Sequence, residues 1–304
     1  MWEKLVECVP NVSEGRNKDS IGAMAAAIRS VPKVRLLDVQ SDPDHHRTVF
    51  TFVGEPEGVA EAVLQLFAAA LPRIDLRVHR GEHPRMGAVD VVPFVPVRGV
   101  SMEDCVALAK DVGREIWERF RVPVYLYGEA ATRPERADLS EIRKGEFEGF
   151  FEKIKDPKWA PDFGEPMVHP TAGVTAVGAR EFLIAFNVNL GTSDIRVAKE
   201  IAKAVRFSSG GLRYVKALGM ELRERGIVQV SMNLTNFKKT PLPRVLELVR
   251  REAQRFGVSV VGTEIVGLIP EEVLVQVAEY YLQLEGFSLS QILERRIEEA
   301  LREA

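Results

Sequence analysis

Cysteine and histidine are scarce in this chain, with two cysteines and five histidines among 304 residues. Cys8 and Cys105 each sit in an apolar segment, with no C-x-x-C spacing. That argues against a disulfide-stapled scaffold or a cysteine-rich zinc ribbon, and it fits two buried thiols in a reducing compartment. No charge of either sign dominates. The formal net charge is −3, with acids and bases interspersed, so the basic stripe of a nucleic-acid binder is lacking. Runs such as "ERRIEEALREA" read as solvated helix faces. Long apolar runs are missing too. The most apolar helix, "GVAEAVLQLFAAALPRI", is broken by Glu61 and Gln65 and is too short to span a bilayer. The opening "MWEKLVECVPN" has neither a basic n-region nor a long apolar stretch. These absences lead us to expect a cytoplasmic protein with no membrane or nucleic-acid partner; a homodimer is compatible with them.

What is present is one pattern written twice. The first half reads strand, helix, strand, strand, helix, strand: "KLVECVPNV", "NKDSIGAMAAAIRSV", "VRLLDVQ", "RTVFTFVGE", "EPEGVAEAVLQLFAAAL" and "GAVDVVPFVPV". Pro93 and Pro96 suggest that the last of these is an edge strand or a strand end. A helix opened by Ser101, with Asp104 three residues on, and the strand "VPVYLYGEA" follow. The second half repeats the order, from "EFLIAFNVNL" through a helix with a Thr or Ser cap. A strand pair turning at Arg225-Gly226, the helix "PLPRVLELVRREAQRFG" and the strand "VSVVGTEIVGLIP" complete it, and two helices end the chain. The expected fold is α/β (α+β): two ferredoxin-like βαββαβ subdomains, residues 1–180 and 181–304, with stacked sheets and helices on the outside. Between the repeats lies a connector rich in Pro, Gly and aromatics, longer than a link requires, as functional loops are.

The stretch "RVHRGEHPRMG" contains H-x-x-E-H, through His79, Glu82 and His83. As a zinc-peptidase motif it needs both histidines on one helical face. Gly81 between them and Pro84 directly after oppose a helix, so a tight loop entering a strand is expected. Such a loop presents an imidazole able to take and return a proton near neutral pH. Arg85 beside it suits a carboxylate. Two more polar turns stand out. "DVQSDPDHHRTVF" carries Asp42, Asp44, His45, His46 and Arg47, and "VPNVSEGR" carries Asn11, Ser13, Glu14 and Gly15. Asx-turn chemistry and helix capping explain part of each. In a βαββαβ unit these three turns converge at one sheet end.

Taken together, "LVECVPNVSEGRN", "RTVFTFVGEPE", "HRGEHPRMGAVDVVPFVPVRGVSMEDC", "VPVYLYGEAA", "WAPDFGEP", "FLIAFNVNL", "QVSMNLTNF" and "VVGTEIVGLIP" resemble the glutamate formiminotransferase family over nearly the whole chain. The resemblance implies an enzyme moving a formimino group from N-formimino-L-glutamate to N5 of tetrahydrofolate, late in histidine breakdown. The folate is a co-substrate, and no metal is called for. It implies two ferredoxin-like subdomains with a substrate tunnel, the catalytic histidine on His83, and a folate-contacting loop on Gly164, Glu165, Pro166, Met167, Val168, His169, Pro170, Thr171, Ala172 and Gly173. Arg47, Arg85, His46 and Asn11 are the candidates for holding the donor substrate. The acid sometimes found near the family's histidine is replaced by Gln40, which leaves Asp38, Asp42 or Asp44 as sources. A cyclodeaminase domain, fused in some relatives, does not follow in this sequence. The alternatives are a folate-binding sensor without turnover, a zinc peptidase through His79, Glu82 and His83, and a relative acting on a formyl donor.

Overall fold

The computed structural model describes residues 2–303, and the chain divides into two compact units, Met1–Glu181 and Phe182–Ala304. In the first, β1 (Leu5–Cys8) and β2 (Asn11–Val12) are one strand path interrupted at Val9-Pro10. Helix α1 (Lys18–Arg29), β3 (Val34–Asp42), β4 (Arg47–Gly54), α2 (Pro56–Ala70) and β5 (Val89–Arg98) follow. β4 and β5 flank the β1/β2 path, and β3 pairs the outer edge of β4, all antiparallel. This is the expected βαββαβ order. Val6 and Cys8 of β1, Phe50 and Phe52 of β4 and Phe94 of β5 are fully buried, as are Met24 and Ile28 of α1 and Leu66 of α2. The apolar stripes of the two helices, at helical spacing, close over the sheet in one continuous core.

The local signals explain where the elements begin. Asn17, rather than the earlier Asn11–Gly15 turn, caps α1, its side chain accepting from the amides of Asp19 and Ser20. Pro56 opens α2. Ser101 and Asp104 form a capping box at α3 (Met102–Phe120).

Two expectations fail informatively. β5 is not an edge strand: it lies between β1/β2 and β7 (Thr175–Ala179), which runs parallel to it. Pro93 is tolerated because its place in the ladder lies opposite the Val9-Pro10 interruption, where only a long Val9 N–H···O=C Pro93 contact of 3.4 Å remains. The connector is not simply a loop. It holds α4 (Leu139–Arg143), α5 (Glu146–Lys153) and β7. β7 inserts between β5 and β6 (Val124–Gly128), parallel to both.

The second unit repeats the plan with β8 (Ile184–Leu190), α6 (Ile195–Val205), β9 (Val215–Leu222), β10 (Ile227–Leu234), α7 (Leu242–Arg255) and β11 (Val260–Val266). Its sheet order is β11-β8-β10-β9, all antiparallel. The β9–β10 turn falls at residues 223–226, with Gly226 at φ 62°. Asp194, not a Thr or Ser, caps α6. Helices α8 (Glu271–Leu282) and α9 (Leu293–Glu303) end the chain.

Strand direction is what positions the site. The antiparallel and parallel pairings of the first unit bring the end of β2, the β3–β4 turn and the starts of β5 and β7 to one end of the sheet. The connector is anchored by Arg136, which is fully buried. Its guanidinium pairs with Asp162 at 2.8 Å, donates to the carbonyls of Lys158 and Ala160, and stacks over Tyr125. Replacing Arg136 with Met leaves the Asp162 carboxylate nearly buried without its ion partner. We expect a loss of about 3–5 kcal/mol, measurable as a lowered urea midpoint.

Candidate active site

The three turns predicted to converge do meet. Ser13 donates its hydroxyl to Gly87 O at 2.8 Å and its amide to Ala88 O at 2.9 Å, tying the first turn to the segment before β5. Glu82 N–H donates to Asp44 O at 3.0 Å, tying that segment to the β3–β4 turn. Gly81 makes the second junction possible. A Cβ there would lie 2.3 Å from His45 O and 2.6 Å from His46 Cβ. The turn that carries His83 therefore rests directly on the backbone that carries His45 and His46.

His83 sits in an irregular bend, not a helix. The helical geometry of the zinc-peptidase reading is absent there, because Gly81 and Pro84 keep residues 79–85 out of regular structure. The His83 ring is half-buried, and its centroid lies 6.4 Å from that of His45, tilted by 56°. Burial, followed by the charges of Arg47, Arg143 and His45, holds its imidazole well below the ordinary histidine range. The ring is thus kept neutral at neutral pH, ready to accept a proton.

His46 and His79 face a different partner. Glu14 is 3% exposed. Its Oε1 accepts the amides of Arg16 and Asn17 at 2.8 and 2.9 Å, and its Oε2 lies 3.1 Å from His79 Nε2. Burial pushes the Glu14 carboxyl up, but those two amides and His79 outweigh it and leave it below the usual range. The Nδ1 of His46 accepts from Gly15 N–H at 3.0 Å, and its ring stacks on His79 with centroids 5.1 Å apart. His79 Nδ1 lies 2.9 Å from Asp75 O and 3.2 Å from Asp75 N. Glu14, His46 and His79 offer ligand atoms within 4.8 Å of one another. With the amides of Gly15, Arg16 and Asn17 these three side chains form one buried cluster. His46 is therefore directed at Glu14.

The other candidates divide. Arg47 begins β4 opposite Asp42, and its charge acts on His83. Arg85 is buried and committed to protein groups: Nε donates to His79 O at 2.6 Å, one terminal nitrogen to Leu76 O, and both terminal nitrogens to Glu148 of α5. It fixes the turn, and its fork is not free to clamp a substrate. The Asn11 side chain turns back to Val9 O at 3.4 Å. Asp42, offered as a partner for His83, instead lies beside His45. Its Oδ2 is 2.9 Å from His45 Nδ1, close but out of line for a straight hydrogen bond.

The loop 164–173 lies at the same sheet end. Val174 N–H donates to Met86 O, and Ala88 N–H donates to Ala172 O, both at 2.9 Å. His169 and Gly173 close a tight hairpin by exchanging backbone bonds of 3.1 and 3.0 Å. Val168, Ala172 and Gly173 are buried, while Glu165, Pro166, Met167 and Pro170 are exposed at the tip. Gly164, Thr171 and His169 are intermediate, with His169 Nδ1 accepting from Ala172 N–H at 3.0 Å.

Sequence reasoning missed Arg143, Asp90 and Glu148. Arg143 Nε donates to Asp90 Oδ2 at 2.8 Å, while Asp90 Oδ1 accepts the amides of Met86 and Gly87. No signal marked this pair, because Arg143 lies in the connector, far along the chain from the turn it supports.

Replacing Gly81 with Ala forces the His83 turn off the His45 backbone. The expected cost is about 1–3 kcal/mol of stability, together with a fall in turnover larger than that loss explains. Urea denaturation and kcat on the same variant separate the two.

The family comparisons agree with this architecture. The model for the formiminotransferase domain, N-terminal subdomain, matches residues 5–180, and that for the formiminotransferase domain matches residues 185–303. The chain is 50% identical to a glutamate formimidoyltransferase of Streptococcus pyogenes serotype M1, over 97% of this chain and 99% of that one. It is 53% identical to one of Thermoplasma acidophilum, over 97% and 98%. To a formimidoyltransferase-cyclodeaminase of Rattus norvegicus it is 49% identical over 93% of this chain, but this covers only 53% of that longer protein. With both halves matched in order, the chain belongs to the formiminotransferase family of transferases.

Proposed function

We propose that the chain transfers the formimino group of N-formimino-L-glutamate to N5 of tetrahydrofolate, giving 5-formiminotetrahydrofolate and L-glutamate. The observation that carries the reading is the half-buried His83 at the meeting of three loops, in a chain about half identical to two glutamate formimidoyltransferases over nearly their full lengths. N5 attacks the amidine carbon, and a tetrahedral intermediate forms. N5 must lose a proton, and the glutamate nitrogen must gain one before it can leave. His83 accepts the first, and the same ring is able to return it. Proton transfer by a positioned group is worth about 10²–10⁴-fold, and holding both substrates in register supplies a further share. The exposed tip of loop 164–173, Met167 above all at 67% exposure, is suited to apolar contact with the folate rings. Its backbone bonds to Met86 and Ala88 keep that contact in register with His83. Arg47, whose charge acts on His83, is the cation this reading assigns to a glutamate carboxylate. Catalysis in the cytoplasm as one step of histidine breakdown is part of the same reading.

His83→Ala is expected to lower kcat about 10²–10⁴-fold without loss of folding, as judged by circular dichroism. A kcat near wild type would sink the assignment. Because the His83 titration is depressed, the ring stays neutral down to below the ordinary histidine value of about 6.5. The acid limb of the kcat profile should therefore fall below that pH, which a buffer series from pH 4.5 to 8 reads directly. Met167→Ala should raise KM for tetrahydrofolate several-fold and leave KM for formiminoglutamate unchanged; the reverse ranking would move the folate elsewhere.

A further inference from the structure

The His45 ring lies 6.4 Å from that of His83, and the proposed mechanism does not use it. Three observations define its setting. Its Nδ1 lies 2.9 Å from Asp42 Oδ2, at ion-pair distance though out of line for a straight hydrogen bond, so that side of the ring faces a carboxylate and the other nitrogen is the chemically available one. Asp42 is itself fixed: its Oδ1 accepts the amides of Asp44 and His45, both at 2.9 Å. The His45 backbone is held under Gly81, and the neighbouring Asp44 carbonyl under Glu82 N–H, so His45 and His83 ride on two turns that cannot shift independently. Their centroids are 6.4 Å apart and tilted, a separation at which rings are direct neighbours, so a group bound at one ring is within reach of the other.

The two imidazoles live in opposite fields. His83 faces the cations Arg47 and Arg143 together with His45. His45 sits against a carboxylate, which the pairing holds ionised, with Asp42 lowered to about 2. Neighbouring titratable groups placed in opposed environments are a mark of separate acid and base roles. The base–carboxylate arrangement is also that of a histidine oriented by a third group.

We propose that His45, steadied by Asp42, is a second proton-transfer group of this site, and that it donates to the departing nitrogen while His83 takes the proton from the attacking one. The inference rests on the formimino-transfer reading. The N5–carbon bond forms as the π pair of the amidine carbon–nitrogen double bond moves onto its terminal nitrogen and the N5 proton passes to neutral His83; that pair re-forms the double bond when the glutamate nitrogen leaves. The carbon–nitrogen bond to glutamate breaks as the His45 imidazolium gives its proton to that nitrogen, which keeps the bonding pair. The proton on His83 then crosses to His45, and both rings regain their starting states. No oxidant, metal or outside proton is required.

The test uses the intact protein and both substrates. Asp42 on its own turn and His83 on the facing turn are the titratable groups placed against His45. The acid limb of the kcat profile belongs to His83. His45→Gln is expected to lose about 10²-fold in kcat while keeping that limb and the KM for both substrates. Asp42→Asn, which keeps the amide contacts of the turn, should lower kcat in the same direction and leave both KM values unchanged. A His45→Gln enzyme with wild-type kcat overturns the proposal. So does an Asp42→Asn enzyme with wild-type kcat, and this second variant decides the matter should His45→Gln fail to fold. Wild-type protein that transfers nothing from formiminoglutamate to tetrahydrofolate overturns the underlying reading, and this inference with it.

Discussion

The absence of a side chain at position 81 governs the rest of the site. Only because Gly81 lacks a Cβ does the turn before β5 reach the His45 and His46 backbone, and only there does Glu82 N–H find Asp44 O. Everything chemical in this region follows from that contact. His83 comes within a ring's distance of His45, and His79 comes within reach of Glu14. The sheet beneath supplies the frame, since antiparallel pairing sends three chain turns to one end. The glycine lets those turns close upon one another.

Around that junction the charges are sorted. One carboxylate, Glu14, is buried with His46 and His79, and helix-start amides keep it ionised. A second, Asp42, sits with His45. A third, Asp90, takes two amides and Arg143 beneath the His83 turn. His83 has no carboxylate among the groups that shift it and is given the cations Arg47 and Arg143 for company. An imidazole held neutral in this way differs from one that is merely exposed, because its neighbours disfavour the protonated form and keep the ring unprotonated further into the acid range.

Much of this was legible in the sequence, for definite reasons. Strand and helix periods gave the two βαββαβ units. Gly81 and Pro84 ruled out a helix at His83. Ser101 with Asp104 and the Arg225-Gly226 turn were local signals that the fold kept. What was not legible was long-range. β7 is a short, small-residue strand whose place between β5 and β6 depends on partners far away in sequence. Arg143 supports Asp90 from the connector. Arg85 looked like a carboxylate clamp because it neighbours His83, yet burial turned its fork toward Glu148 and two carbonyls. His46 and His45 were indistinguishable as neighbours in a polar turn. A left-handed backbone at His46, φ 49°, helps send the two rings to different carboxylates.

The late insertion of β7 has a consequence for how the protein is made. β5, the strand that follows the His83 turn, has an unpaired edge until the ribosome has delivered residues 175–179, and β6 has no neighbour in its sheet until then. An exposed strand edge invites wrong pairing. The His83 turn shares that wait, because Arg85 O and Met86 O accept from the amides of Phe147 and Val174 and the turn is completed only when those later residues arrive.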